Sequence, residues 1–174
     1  MKRIVTLGTV LALALTMALP ASAASDAEIP DATIVDIVLV DDGEFDVLQA
    51  AVIEAGLVDA LSADKPKLRV FAPTDAAFVS TFEGLLGTSL TEADVISFIE
   101  AGGVDDALGA GALVDILLYH VTNGHRRDVL SQRSYWMLNG EKVTRHQLIE
   151  AGVGENIYAS NGIINVLTNN VLIP

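Results

Sequence analysis

The chain has 174 residues, no cysteine and a formal net charge of −13, with 23 acidic residues against 10 basic ones. The lack of cysteine excludes a disulfide framework and a catalytic thiol, so the apolar core alone must stabilise the fold. The negative charge disfavours nucleic acid and anionic membranes as partners over most of the surface. This length suits one domain with a core of its own.

The N-terminal residues have the pattern of a secretory signal peptide. Two basic residues precede a continuous apolar run, and the small residues 21–23 match the preference of signal peptidase. We predict cleavage after Ala23, a flexible mature N-terminus over residues 24–32 and one domain over residues 33–174. The apolar run is shorter than the ~20 residues of a membrane-spanning helix, which disfavours the alternative of a retained anchor. We therefore expect no stable membrane insertion after cleavage, and a protein that is secreted, or periplasmic if its source is a Gram-negative bacterium.

Apolar periodicity predicts a helix-rich first part of the domain. Thr33 is a candidate N-cap, and Thr91 with Asp94 forms a capping-box pattern at the start of a later helix. In chain order, the spacing predicts three short helices within residues 33–61, a strand over 68–72, a helix over 74–82, a helix from Thr91 to the glycine pair 102–103, and a helix from residue 111 that leads into a strand near Tyr119.

The segment RVFAPTDAAF, residues 69–78, joins a strand to a helix. Pro73 has a fixed φ and favours an extended Ala72, so the strand should end there. Thr74 or Asp75 then satisfies the free backbone donors of the following helix. A nucleophile elbow would instead place its reactive side chain between glycines on a strained turn. We interpret this corner as structural rather than catalytic.

After Gly124 the apolar period changes from helical to alternating. The dipeptides Asn139-Gly140 and Asn161-Gly162 each lie between two extended segments, which is the sequence signal of a tight hairpin. We expect both residues of each turn to adopt positive φ. Helices first and strands last, without repeated strand–helix–strand units, indicate an α+β fold.

The chain lacks the sequence patterns of common hydrolase and zinc sites. It contains no Gly-x-Ser-x-Gly motif, and His120, His125 and His146 include no pair at i,i+4 spacing. We therefore expect no catalytic residue, no metal site and no cofactor, and we interpret the protein as a non-enzyme. His120 lies within an apolar segment, which is typical of a hydrogen-bonded histidine in a core.

An acidic segment contains Asp41, Asp42, Glu44 and Asp46 around Gly43. Carboxylates around a glycine occur in calcium loops, although the residue order of an EF-hand loop is not met here. The alternative is a turn between two helices, with carboxylates near the positive N-terminal end of the second helix.

A later stretch of this acidic chain contains five basic residues: Arg126, Arg127, Arg133, Lys142 and Arg145. One interpretation is a patch for an acidic polysaccharide or another polyanionic partner. The other, which the low density of charges favours, is a set of solvated positions that balance nearby acids.

The segment VFAPTDAAF, residues 70–78, resembles the signature of fasciclin-like domains almost letter for letter. Three further segments are similar to other parts of that family. Residues 33–61 resemble its opening helices, LVDILLYHVTNG at residues 113–124 resembles its Tyr-His segment, and ENIYASNGIINVLTNNVLIP at residues 155–174 resembles its closing strands. The resemblance thus extends over the predicted domain.

This resemblance implies an α+β domain, a small twisted β-sandwich or wedge with several helices packed around it. It implies a secreted module for adhesion and matrix contacts, without catalysis, whose partner is a cell-surface or matrix protein or a polysaccharide. We expect the protein to be a monomer. The alternative function is a soluble extracytoplasmic binding protein that holds a small ligand or calcium through the acidic segment.

Two pairs of residues match the adhesion-motif positions of the family. Tyr119 and His120 correspond to the Tyr-His pair, which is interpreted as adhesive in animal members and has a structural role as the alternative. Asn156 and Ile157 match an integrin-linked Asp-Ile pair. Because Asn156 lacks the carboxylate that would coordinate the metal of an integrin, we do not expect integrin binding. Asn165 stands where the family often has histidine.

Overall fold

The computed structural model describes residues 31–40, 43–64, 66–124 and 128–174. The predicted signal peptide lies outside these ranges. So do parts of the acidic segment and of the basic stretch, namely Asp41, Asp42, His125, Arg126 and Arg127. Among the residues that are described, no helix combines the length and the apolar character needed to cross a membrane.

The described residues form eight α-helices, mainly before residue 120, and six strands, mainly after it. The helices are α1 (Ile34–Val38), α2 (Asp46–Glu54), α3 (Val58–Ser62), α4 (Asp75–Leu86), α5 (Glu92–Glu100), α6 (Gly103–Leu108), α7 (Ala112–Leu118) and α8 (Arg145–Glu150). The strands are β1 (Leu68–Pro73), β2 (Val121–Asn123), β3 (Ser134–Trp136), β4 (Lys142–Thr144), β5 (Val153–Ala159) and β6 (Gly162–Leu167). This arrangement confirms the predicted α+β fold.

Local sequence signals explain where several helices begin. Thr33 caps α1 and Thr91 caps α5, and in both cases an aspartate three residues later completes a capping box. Both caps were predicted from the sequence, as was the cap of α4, which Thr74 provides. A further capping box, formed by Thr144 and Gln147, begins α8.

A four-stranded sheet in the order β2-β1-β6-β5 forms the centre of the fold. β1 runs parallel to β6 and antiparallel to β2, and β5 pairs antiparallel with β6. Every residue of β1 and β6 is buried, so both central strands are covered on both faces. β3 and β4 form a separate two-stranded hairpin.

Alternate residues of β1 enter two different apolar clusters, because successive side chains point to opposite faces of a sheet. Leu68, Val70 and Ala72 pack against residues of α1–α7 on one face. Phe71 packs against the hairpin β3–β4 and α8 on the other face. The sheet therefore separates a layer of seven described helices from a smaller layer that consists of the hairpin and α8.

The corner after β1 is a structural joint between helices. β1 ends at Pro73, and the Thr74 side chain caps α4 by accepting a backbone N–H of its first turn at 3.2 Å. Asp75 caps a different helix. Its two carboxylate oxygens accept from the N–H groups of Asp46 at 3.1 Å and Val47 at 2.8 Å, at the start of α2. The first residue of α4 thus fixes the position of α2.

Both predicted hairpins are present, but the turn conformation predicted for them is wrong. No non-glycine residue among those described has positive φ, so neither Asn139 nor Asn161 adopts it. In the β3–β4 hairpin, the five-residue connection 137–141 contains a tight turn in which Gly140 N–H donates to Met137 O at 3.0 Å, and Gly140 has a φ of 91°. The Asn139 side chain accepts from Glu141 N–H at 3.1 Å, which fixes the turn without a left-handed asparagine.

The second hairpin turns one residue earlier than predicted. Ala159 pairs with Gly162, so Ser160 and Asn161 form the turn, and Gly162 is the first residue of β6. A Cβ atom at Gly162 would overlap the carbonyl oxygen of Leu68. The glycine is therefore required by the close approach of β1 and not by its own φ.

Asn161 is buried and joins three segments of the chain. Its Oδ1 accepts from Ile34 N–H at 2.8 Å, at the start of α1. Its Nδ2 donates to the carbonyl oxygens of Leu61 at 2.7 Å and Ala63 at 3.2 Å, at the end of α3. The turn between β5 and β6 thereby satisfies backbone groups of two early helices.

The replacement of Phe71 by alanine tests whether the corner is structural. Its side chain is fully buried, and its ring meets Tyr135 edge-on with centroids 5.8 Å apart. We expect Phe71→Ala to lower the free energy of unfolding by about 3–5 kcal/mol, because it creates a cavity and removes the aromatic contact. Urea denaturation measures the change. The control Ile53→Ala, at an exposed position of α2, should change it by about 0.5 kcal/mol or less. A loss below ~1 kcal/mol at Phe71 contradicts the structural role.

Candidate functional site

Tyr119 and His120 both lie in the interior, and each is 3% exposed. The Tyr119 hydroxyl donates to the carbonyl oxygen of Lys142 at 3.3 Å and accepts from Gln147 Nε2 at 3.3 Å. These bonds connect the end of α7 to β4 and α8. The structure therefore places the Tyr-His pair between elements of the fold rather than on the surface.

His120 uses both nitrogens of its ring. Nδ1 lies 2.8 Å from the carbonyl oxygen of Ile116, and Nε2 accepts from Leu172 N–H at 2.9 Å. A carbonyl oxygen only accepts and an amide only donates, so the ring is neutral with its proton on Nδ1. Burial lowers the pKa of His120 to about 4, which keeps the ring neutral at physiological pH. The histidine joins α7 to the C-terminal segment, residues 168–174.

Asn156 and Asn165 lie side by side on β5 and β6 and are connected to a buried arginine. Asn165 Nδ2 donates to Asn156 Oδ1, and Arg69 Nη1 donates to Asn165 Oδ1. Arg69 is 1% exposed, and its guanidinium carbon lies 5.8 Å from the ring centroid of Tyr135. Ile157, beside Asn156 in β5, is partly buried against the helical layer.

The charge of Arg69 is stabilised by an amide and an aromatic ring. Among the described residues it forms no ion pair with a carboxylate, and its Nη2 has no hydrogen-bond acceptor. Burial lowers the pKa of the Arg69 guanidinium, which reflects the cost of keeping a charge in the interior. The role of Arg69 was not predicted from the sequence. The available signal was a charged side chain within the apolar strand segment LRVFA.

The acidic segment contributes one residue to a group of three carboxylates. Oxygen atoms of Asp46, Asp75 and Glu92 lie within 4.8 Å of one another. Both oxygens of Asp75 accept backbone N–H groups of α2, so this carboxylate serves as a helix cap. Asp41 and Asp42 lie outside the described residues. The calcium interpretation of the acidic segment stays a prediction.

Basic and aromatic side chains are exposed on the hairpin β3–β4 and at the residues that flank it. Trp136 is 65% exposed, and the Lys142 ammonium nitrogen lies 4.3 Å from its ring centroid. Arg133 and Arg145 are also exposed, and Arg145 N–H donates to Arg133 O at 2.9 Å. These four residues are referred to as the hairpin face. Every exposed lysine or arginine of the described part of the chain belongs to it.

The exposed tryptophan has a fixed backbone position. The Thr122 hydroxyl donates to Trp136 O at 2.6 Å, and Leu138 N–H donates to Val121 O at 2.8 Å. The hairpin is thereby attached to the edge strand β2. An aromatic side chain on a fixed backbone loses little conformational freedom on binding. The exposure of Trp136 was not predicted from the sequence. The available signal was strand alternation, because successive side chains point to opposite faces of a strand and Tyr135 is buried.

The fasciclin domain family matches residues 43–174 of the chain. The chain belongs to the fasciclin domain family. The matched residues include the corner after β1, the Tyr-His pair and the hairpin β5–β6, and they confirm the resemblance found in the sequence. No curated protein matches the sequence.

Fasciclin domains are adhesion-type or extracellular interaction modules that are generally non-catalytic. They are typically found outside the cell or at its surface. In this fasciclin domain, α1 precedes the matched residues but packs into the same core through Ile34, Val35 and Val38.

The buried Arg69 of this fasciclin domain leads us to predict that substitutions at Arg69 and Asn165 change the free energy of unfolding in a strongly non-additive way. Asn165→Leu removes the amide that stabilises the Arg69 guanidinium, and we expect the free energy of unfolding to fall by about 3–5 kcal/mol. The double variant Arg69→Met/Asn165→Leu removes the charge together with its partner and should recover most of that loss. Chemical denaturation of the wild type, both single variants and the double variant measures the coupling. Additive losses would contradict the network.

The lowered pKa of His120 leads us to predict that the domain loses stability on acidification. Its pKa is about 4 in the folded domain and about 6.5 in the unfolded chain. Since the unfolded state binds the additional proton between these values, the contribution of His120 is complete above about pH 6.5. It is lost as the pH falls towards 4, by about 3 kcal/mol in total.

Denaturation across this pH range measures the effect in wild type and in His120→Gln. The variant should lack this part of the pH dependence, because glutamine does not titrate. The control His146→Gln removes an exposed histidine and should retain the wild-type dependence. Equal pH dependence in wild type and His120→Gln would show that His120 does not cause it.

Proposed function

We propose that the protein is a secreted, non-catalytic fasciclin module that binds an acidic matrix or cell-surface polysaccharide through the hairpin face. The observation that carries this proposal is the exposed Trp136 with Lys142 over its ring, together with Arg133 and Arg145, on a chain of net charge −13. An acidic protein whose described, exposed cations lie on and beside one hairpin directs that part of the molecule towards a polyanion.

The aromatic side chain supports a saccharide as the partner. An exposed indole offers a large apolar face, which sugar rings can cover, and a polar N–H at its edge. Lys142 supplies charge over the ring for carboxylate or sulfate groups. Arg145, the first residue after β4, adds a guanidinium that is suited to bidentate contacts. Arg126 and Arg127 lie outside the described residues, and the proposal stands without them.

The adhesion-motif positions have a different role in this proposal. Tyr119 and His120 serve to connect elements of the fold, which their burial and their hydrogen bonds support. Asn156 supports the position of Arg69 through Asn165. The pattern of the first 23 residues supports export, followed by release or by retention in a periplasm. We propose that the exported protein acts as a monomer.

Binding to an acidic polysaccharide tests the hairpin face. We expect Lys142→Gln/Arg145→Gln to weaken binding to immobilised polygalacturonate by roughly tenfold or more, because two of the three basic side chains of the hairpin face are lost. Trp136→Ala should also weaken binding, although it leaves the net charge unchanged. Biolayer interferometry at low ionic strength gives the affinities, since salt screens such contacts.

The matched control is Thr88→Glu/Ser89→Glu, at exposed residues between α4 and α5. It lowers the net charge by the same amount as Lys142→Gln/Arg145→Gln, and it should bind like the wild type. Equal weakening in the two double variants would mean that binding follows net charge and not the hairpin face. The proposed function would be contradicted if the wild type bound polygalacturonate no more strongly than it bound neutral dextran.

A further inference from the structure

A cavity of about 240 Å³ lies in the helical layer, between α4, α5, α6, α7 and the C-terminal segment. Its lining includes Phe82, Phe98 and Leu117 in the interior and Leu86, Leu108 and Ile173 at the opening. Protein interiors are closely packed and seldom contain spaces much larger than a water molecule. A cavity of roughly 150 Å³ in another protein is sufficient to bind benzene. This cavity therefore has room for an apolar group larger than benzene.

The walls of the cavity have defined positions. Phe82 and Phe98 meet edge-on with ring centroids 5.8 Å apart, and the absence of a Cβ atom at Gly103 leaves room for the Phe98 ring. On the opposite side, Val171 N–H donates to Thr81 Oγ1 at 3.0 Å and holds the C-terminal segment against α4. A preformed apolar cavity with fixed walls is the usual form of a site for a small apolar ligand.

The opening of the cavity carries large apolar side chains. Leu85, Leu86, Leu108 and Ile173 are between 43% and 59% exposed. A stable protein–protein interface takes about 20–30 residues from each side, far more than this apolar rim provides. The size and the concave shape of the surface therefore favour a small molecule over a second copy of the chain.

The charge around the cavity restricts the polar end of such a molecule. Between residues 70 and 124, which include α4–α7, the sequence has no lysine and no arginine. The same stretch has eight acidic residues: Asp75, Glu83, Glu92, Asp94, Glu100, Asp105, Asp106 and Asp115. All eight belong to α4–α7, so the helices that form the cavity have a net negative charge. This charge disfavours an anionic head group such as that of a fatty acid, but not an uncharged or cationic one.

We propose that this cavity binds an apolar chain whose polar end is uncharged or cationic. The apolar chain of the ligand enters between Leu108 and Ile173 and contacts Phe82 and Phe98. Its polar end remains at the opening, under the influence of the negative charge of α4–α7. This site is separate from the hairpin face, which lies in the other layer of the fold. A failure of polysaccharide binding would thus leave this proposal intact, and the reverse also holds.

Competition binding with three ligands of equal chain length tests the proposal. The full mature protein is mixed with N-phenyl-1-naphthylamine, an uncharged fluorescent probe, and the probe is displaced by 1-decanol, decylamine or decanoate. We expect decanol and decylamine to displace the probe at concentrations at least tenfold below that required for decanoate. Displacement by decanoate at the same concentration, or no displacement by any ligand, would overturn the proposal.

A cavity-filling variant identifies the site of binding. Ala107 lines the cavity and is exposed on α6, so Ala107→Trp can place its ring in the opening without disturbing the core. We expect it to weaken decylamine binding at least tenfold. The matched control Ala60→Trp, at an exposed position of α3 outside the cavity, should bind like the wild type. Equal affinities in the two variants would show that the ligand binds elsewhere.

A charge variant tests the preference for the polar end. Leu108→Lys places a cation at the opening, and we expect it to reduce the preference for decylamine over decanoate at least tenfold. An unchanged preference would contradict the role of the acidic surroundings. Sedimentation of the wild type tests whether a second copy of the protein, and not a small molecule, covers the opening. A dimer that Leu108→Lys converts to monomers would mean that a second copy covers the opening, and it would overturn the proposal.

Discussion

The parallel pairing of β1 with β6 constrains where every other element of this domain can lie. It joins residues 68–73 to residues 162–167 in register, and parallel strands require a long connection that crosses the sheet. Gly162 permits the close approach of the two strands, and Asn161 attaches α1 and α3 beside it. Because both strands are buried on both faces, the connecting segments must cover the sheet on each side. The helices cover one face, and the hairpin β3–β4 with α8 covers the other.

This division of the connecting segments also separates two kinds of surface chemistry. The helical layer is acidic and contains the apolar cavity, whereas the hairpin layer carries the exposed cations and the exposed indole. Repulsion from the acidic helical layer disfavours a polyanion there, whereas the exposed cations of the described residues belong to the hairpin face. The same field disfavours anionic amphiphiles at the cavity. In the two proposals, one charge distribution favours a polyanion at the hairpin face and an uncharged or cationic amphiphile at the cavity.

Sequence signals that act between neighbouring residues were sufficient for much of the fold. The caps at Thr33 and Thr91, the strand that ends at Pro73, and the existence of both hairpins could all be predicted from local chemistry. The errors arose where a distant contact decides the outcome. Gly162 is required by the approach of Leu68, and Asn161 serves α1 and α3 rather than a left-handed turn.

The candidate sites were less predictable than the fold for the same reason. Arg69 is stabilised by Asn165 and Tyr135, which are distant in sequence, so no spacing rule identifies the network. The cavity lies where four helices and the C-terminal segment meet, and its lining residues look like ordinary core positions in the sequence.

The pairing of β1 with β6 has a further consequence during synthesis. β1 is complete at residue 73, but its parallel partner ends at residue 167. A ribosome that is still translating the intervening segment therefore carries a nascent chain without its central sheet. The central sheet can therefore form only after nearly all of the domain has been synthesised.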